Sequence, residues 1–214
     1  MYKYILFDLD GTLTDSAPGI IRCVQYALEK CGKGTCPDRE LLPFIGPPLT
    51  ESFQKICGMT AAEANTALEY YRERFARMYE NSVYDGIPEL LQNLRQAGKT
   101  LAVATSKPQL YAEKILEHFG LAAHFSTIAG PGFNGELPTK ADVISEVLQR
   151  LHLTAADKNA AVMLGDREHD AIGAQQNKIA IIGAGYGYSS PGELSAAGVR
   201  QIVSAPQDFA DFLL

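Results

Sequence analysis

From residue 85 onward the chain repeats one pattern: a short apolar run, an amphipathic stretch of helical periodicity, then another apolar run. The apolar runs are Thr100–Ala104, Thr127–Ala129, Ala160–Leu164, Ile179–Ile182 and Gln201–Val203. Helical stretches fall at Pro88–Ala97, Pro108–Phe119, Lys140–Leu151, Asp170–Asn177, Pro191–Ala197 and Gln207–Phe212. Strands that alternate with helices are joined by crossovers rather than hairpins. The pattern therefore predicts a parallel sheet covered on both faces.

Tyr4–Phe7 reads as one more strand of that sheet, but the next seventy residues are helical in pattern. Ile20, Ile21, Val24, Ala27 and Leu28 recur at helix spacing, and Gly32 with Gly34 closes the run. Pro43, Gly46, Pro47 and Pro48 punctuate a loop, and a second stripe comes after it at Ala64, Ala67, Leu68, Tyr71, Phe75 and Met78. The expected fold class is α/β: a Rossmann-like parallel-sheet core of residues 1–14 and 85–214, with an all-helical domain inserted over 15–84.

Composition narrows the function. The chain has 214 residues, 46% of them hydrophobic, and a formal charge of −6. Without a Lys/Arg run, nucleic acid and membrane surfaces are not expected partners. Met1–Phe7 is too short for a secretory leader and is interrupted by Asp8, and no apolar stretch nears the roughly 20 residues of a membrane span. The four cysteines, Cys23, Cys31, Cys36 and Cys57, form no CxxC pair and read as reduced packing residues of a cytoplasmic protein. Residues 15–84 carry a net charge of about −1, leaving about −5 on the α/β part, which suits acidic clusters at sheet ends where such folds bind ligands.

One such cluster opens the chain. In "ILFDLDGTLTD" the first strand ends on Asp8 and Asp10, with Gly11 next for a sharp turn. Strand alternation would send both carboxylates to one side and Leu9 to the core. Alone, the pair is equally compatible with a turn cap beside a solvated carboxylate. "AVMLGDREHDAIGA" repeats the grammar: an apolar strand, a glycine, Asp166, and Asp170 four residues later. A helix beginning just after Asp166 would set these two on one side of its first turn. Carboxylates converging in one crevice need a cation, and an all-oxygen set suits Mg²⁺, with an anionic phosphate completing the shell. Thr105 and Ser106 end a strand where their hydroxyls could meet phosphate oxygens at a helix N-terminus. Lys140 begins another helix after Pro138, placed to neutralise phosphate and nucleophile.

DLDGT (8–12), the Thr105-Ser106 strand end, Lys140 and the Gly165–Asp170 segment resemble, in order, the four motifs of the haloacid dehalogenase superfamily of phosphohydrolases. The helical insertion resembles the cap domain of the phosphoglycolate phosphatase-like branch, and "FIGPPLTESF" (44–53) its cap loop. Where many members have Lys-Pro, this chain has Lys140-Ala141. The resemblance implies that Asp8 attacks phosphorus and forms an aspartyl-phosphate, while Asp10 protonates the leaving group and later activates water. It implies Mg²⁺ held by Asp8, the Asp10 backbone carbonyl, Asp166 and Asp170, and phosphoryl oxygens held by Thr105, Ser106 and Lys140. Transport ATPases of the superfamily carry Thr two residues after the nucleophile; Asp10 in that place implies turnover.

The implied activity is a Mg²⁺-dependent phosphatase of a small phosphorylated metabolite, phosphoglycolate or a nucleoside monophosphate, working as monomer or dimer. A mutase of the β-phosphoglucomutase type and a catalytically silent binding protein are the alternatives. Arg22, Gly46 and Leu49 are candidates for reading the leaving group from the cap, though each position is equally compatible with packing or surface exposure. "GPGFNG" (130–135) matches G-x-G-x-x-G, but Pro131 and Pro138 surround it and no helix begins at its end, so a dinucleotide site is set aside. "GAGYG" (183–187) reads as a flexible loop, and Tyr70, Tyr71, Tyr79 and Tyr84 as packing.

Overall fold

The computed structural model describes residues 2–75, 81–134 and 136–214. Along the chain lie β1 (Tyr4–Phe7), β2 (Thr14–Asp15), α1 (Ala17–Lys30), α2 (Asp38–Leu41), α3 (Leu49–Cys57), α4 (Ala61–Phe75), β3 (Ser82–Val83) and α5 (Ile87–Gln96). Then come β4 (Thr100–Ala104), α6 (Gln109–His118), β5 (Thr127–Ala129), α7 (Lys140–Arg150), β6 (Ala161–Gly165), α8 (Glu168–Asn177), β7 (Ala180–Ala184), α9 (Glu193–Ala196), β8 (Ile202–Val203) and α10 (Ala210–Leu213). The chain divides into two compact units, Met1–Thr14 with Val83–Leu214, and Asp15–Ser82. Val83 and Tyr84, expected in the helical segment, belong to the first unit. The Tyr84 N–H donates to the Leu13 carbonyl at 3.2 Å, and its ring meets Tyr186 edge-on with centroids 5.0 Å apart.

The first unit is built on a six-stranded sheet of order β5-β4-β1-β6-β7-β8, with every pairing parallel. β1 runs in register with Thr100–Val103 on one side and Ala161–Leu164 on the other. A strand flanked on both edges and covered on both faces has no solvent side. That is why Ile5, Leu6 and Phe7 are all fully buried and show no alternation. Leu6, Ala102, Ala104 and Met163 pack with Val143, Ile144 and Val147 of α7 and Ala174 of α8. From β1 the chain moves to β4 and β5 on one side, then crosses to β6, β7 and β8 on the other. The loops leaving β1 and β6 therefore diverge, and a crevice opens at the carboxyl ends of these two strands.

In the second unit α1 buries Ile20, Ile21, Val24, Ala27 and Leu28, and α4 buries Ala64, Ala67, Tyr71 and Phe75. Leu68 is half-buried, while Met78 and Tyr79 lie outside the described residues. Phe44 and Phe53 meet edge-on at 5.0 Å, and Lys33 bonds Glu63 at 3.0 Å, tying the loop after α1 to the first turn of α4. Cys23 is buried and Cys31, Cys36 and Cys57 are half-buried, none in a disulfide. No helix among the described residues is long and apolar enough to cross a membrane.

Candidate active site

The site is assembled where β1 and β6 end. The Asp8 N–H extends the ladder by one bond, donating to the Leu164 carbonyl at 2.8 Å, and then the strand stops. The N–H groups of Leu13 and Thr14 both return to the Leu9 carbonyl at 2.9 Å, and Gly11 takes φ +84°. A tight turn rather than continued strand therefore carries Asp10, whose charge adds to burial in raising the Asp8 pKa. After β6 the helix starts ahead of the expected Asp170 but not directly after Asp166. Arg167 is extended (φ −122°, ψ 160°), α8 begins at Glu168, and the Asp170 carboxylate accepts the Arg167 N–H at 3.1 Å. Asp166 therefore stands on the strand end and Asp170 on the helix, so the expected i,i+4 pairing on one helix does not occur. The two converge through the turn between them. Asp8, Asp166 and Asp170, all buried, offer oxygens within 4.8 Å of one another.

Lys140 is the first residue of α7, whose start is fixed by a capping box between Thr139 and Asp142. Its buried ammonium lies 2.9 Å from Asp8 Oδ1 and 2.8 Å from Asp170 Oδ1, and donates to the Ala104 carbonyl at 3.1 Å. Burial pushes the Asp8 carboxyl up to about 6; Asp170 and Asp10 add to the rise and Lys140 works against it. Burial also drives Asp166 well above the ordinary carboxylate range, reinforced by Asp170 and Asp8. Burial opposes the charge on Lys140 too, but Asp170 and Asp8 outweigh it and hold the ammonium above its usual range.

One ammonium among three carboxylates leaves negative charge uncompensated. Asp166 Oδ2 accepts the Tyr188 N–H at 2.7 Å, whereas Asp166 Oδ1 is sealed from solvent and has no hydrogen-bond partner among the described residues. A buried, all-oxygen set with an unpartnered Asp166 oxygen fits a hard divalent cation such as Mg²⁺. A cation must displace the protons that burial favours on Asp8 and Asp166. Mg²⁺ should therefore raise Tm more at about pH 7.5 than at about pH 5. In the metal-free protein the same raised groups act oppositely. The stabilising contribution of Asp8 is whole below about pH 4 and fades as pH rises through about 6, and the raised Asp166 contributes in the same direction. Thermal scans with Mg²⁺ and with chelator at both pH values measure this, and an equal or larger Mg²⁺ shift at the lower pH contradicts it.

Thr105, expected to meet phosphate, is buried, and its hydroxyl accepts the Lys107 N–H at 3.2 Å, leaving its own proton to donate. Ser106 is exposed. Both precede α6, which begins only at Gln109 after Pro108, so neither caps that helix. Arg22, Gly46 and Leu49 lie in the second unit: Arg22 exposed on α1, Gly46 at φ +104° in the Pro-rich loop, Leu49 half-buried at the start of α3.

Two parts of the site are not apparent in the sequence. The first is Lys107, whose ammonium lies 2.8 Å from Asp10 Oδ2. The second is the loop after β7, expected to be flexible; instead it is strapped to the site. Tyr186 donates its hydroxyl to the Thr12 carbonyl at 2.8 Å, Tyr188 donates its N–H to Asp166, and Glu193 ties the loop's far end to Arg167 at 2.7 Å. A Cβ on Gly187 would lie 2.4 Å from both Asp166 Cβ and the Gly11 carbonyl oxygen. Glycine is needed there because the backbone itself packs on the carboxylate. Of "GPGFNG", Gly135 lies outside the described residues, and α7 starts only at Lys140.

A family model of haloacid dehalogenase-like hydrolases matches residues 5–184. A 5'-nucleotidase of Pseudomonas aeruginosa is 46% identical over 197 residues, covering 91% of this chain and 88% of that protein. The tyrosine-protein kinase PtkA of Mycobacterium tuberculosis is 42% identical over 189 residues, 87% of this chain but 63% of that longer protein. Among solved structures, one described as a predicted phosphatase from Clostridium acetobutylicum superposes with a TM-score of 0.92 at 44% identity, covering 99% of this chain and 98% of that one. The sheet, the aspartates at its carboxyl edge and these matches lead to one conclusion: the chain belongs to the haloacid dehalogenase-like hydrolase family.

Proposed function

We propose that this enzyme is a Mg²⁺-dependent phosphatase of small phosphate monoesters, working through a phosphorylated Asp8. The observation that carries the reading is the buried Asp8–Asp166–Asp170 cluster with Lys140 bridging two of its members. Asp8, Asp166 and Asp170, with the Asp10 carbonyl, would hold the cation. When bound, Mg²⁺ offsets the charge of nucleophile and phosphate, which otherwise repel. Asp8 attacks phosphorus, the ester oxygen leaves with a proton from Asp10, and Asp10 then takes a proton from the water that releases phosphate. Lys140 and the Thr105 and Ser106 hydroxyls stabilise charge on the phosphoryl oxygens.

For the substrate, the 46%-identical 5'-nucleotidase favours a nucleoside monophosphate over phosphoglycolate. Arg22, Gly46 and Leu49 of the helical insertion are then the candidates for selecting among leaving groups. A second reading, transfer of the phosphoryl group to a hydroxyl other than water, is favoured by the PtkA likeness and shared by phosphosugar mutases. A panel of nucleoside monophosphates, phosphoglycolate and hexose phosphates, assayed with Mg²⁺ and with chelator, separates these. Free phosphate that requires Mg²⁺ supports hydrolysis. Isomerised sugar phosphate without free phosphate overturns it, and no product from any substrate points to a silent fold.

A further inference from the structure

Asp8 and Asp10 sit one residue apart, and a different lysine meets each: Lys140 meets Asp8 and Lys107 meets Asp10. The Lys107–Asp10 pair is largely shielded, with side chains 7% and 13% exposed and a separation of 2.8 Å. It uses only one carboxylate oxygen. Asp10 Oδ1 is sealed from solvent and has no hydrogen-bond partner among the described residues, although every such oxygen left unpaired costs stability.

The root of Lys107 is held unusually firmly. Its N–H donates to Thr105 Oγ1 at 3.2 Å, and Pro108, with its fixed φ, comes next in the chain. On the other side the Gln109 N–H donates to the Pro131 carbonyl at 3.1 Å, and the Thr105 N–H to the Ala129 carbonyl at 3.0 Å. A Cβ on Gly130 would lie 2.3 Å from the Lys107 carbonyl oxygen, so the chain leaving β5 packs directly on the Lys107 backbone. An ammonium delivered from so rigid a root can fix the rotation of the carboxylate it grips.

We propose that Lys107 is the positioning residue for Asp10: by gripping Oδ2 it turns Oδ1 to the oxygen that accepts or yields the proton. The inference rests on the proposed role of Asp10 as general acid and adds the group that orients it. In the first half-reaction the bond from Asp8 to phosphorus forms, the bond from phosphorus to the ester oxygen breaks, and the Asp10 proton goes to that oxygen. An alkyl ester needs this proton because an alkoxide is a poor leaving group. A p-nitrophenyl ester does not, since p-nitrophenolate departs as the stable anion.

The test compares kcat/KM of wild type and Lys107→Met on an alkyl phosphate and on p-nitrophenyl phosphate. This parameter stops at the first irreversible step, so hydrolysis of the phosphoenzyme does not enter. Lys107→Met should lower the alkyl ester by about 100-fold, the lower end of what a placed general acid supplies, and the aryl ester by less than about 5-fold. Lys107→Arg, which restores a cation able to grip the carboxylate, should recover most of the alkyl activity. Equal losses on both esters, or no loss on either, overturn the positioning role while leaving the phosphatase reading intact. Wild type inactive on both esters overturns that reading instead. Should Lys107→Met not fold, the same ratio is read from Lys107→Gln.

Discussion

Asp8→Asn is expected to abolish turnover, lowering phosphate release by on the order of 10⁴-fold or more, while the protein stays folded. The amide keeps the size of the carboxyl but lacks the nucleophilic oxygen, so no bond to phosphorus forms. Folding should not suffer, and the electrostatics say why. The Asp8 pKa is raised in the folded state, to about 6, so ionisation at neutral pH is unfavourable to the fold despite Lys140. A neutral amide relieves that strain, so Tm without metal should equal or exceed that of wild type. The Mg²⁺-induced rise in Tm should shrink, because one oxygen ligand is lost. Activity assays with thermal scans check all three effects. Substantial turnover in the variant removes Asp8 from the nucleophile's role.

Gly187→Ala is expected to be nearly as damaging, although residue 187 has no functional group. The added methyl would sit 2.4 Å from Asp166 Cβ and from the Gly11 carbonyl oxygen, a distance no relaxed contact allows. Neither neighbour is the loose end of a long side chain. The loop must lift or Asp166 must shift, and either movement breaks the 2.7 Å bond from the Tyr188 N–H that orients the carboxylate. Displacements of this size near reacting atoms cost about 100-fold in kcat/KM. Overpacking of a tight site costs roughly 1–3 kcal/mol, which for a chain this long lowers Tm by about 2–12 °C. The measurement is kcat/KM against Mg²⁺ concentration, where the variant should also need more metal. Wild-type activity and metal dependence with alanine at 187 would show that the strap has no bearing on the site.

The parts of this site that were legible in the sequence are those whose residue type and position on an element both carry meaning. Asp8 and Asp166 end apolar strands, and Lys140 starts a helix. Parallel topology then brings strand ends and helix starts to one edge without further information. What was not legible depends on loop conformation. Asp166 and Asp170 converge with Asp8, but through turns that strand alternation and helix spacing do not describe. Lys107 looks like any lysine before a proline until the turn after β4 is seen to aim it at Asp10. The "GAGYG" segment has neither period nor charge, and its contact with Asp166 joins positions separated by a helix and a strand. Gly187 carried a faint signal: a further glycine after a strand end in a sheet whose other strand ends bear the aspartates. The boundary near Tyr84 shifted for a similar reason, since one backbone bond to Leu13 and one ring contact with Tyr186 claim it for the first unit.

The proposed function turns on a phosphoryl group carried by Asp8. Rapid acid quench of enzyme, Mg²⁺ and a turning-over nucleoside monophosphate, with peptide mass analysis of the quenched protein, tests it most directly. One phosphoryl adduct is expected, on the peptide spanning Asp8, absent with chelator and absent in Asp8→Asn. Steady release of phosphate with no adduct, or an adduct on another residue, contradicts it.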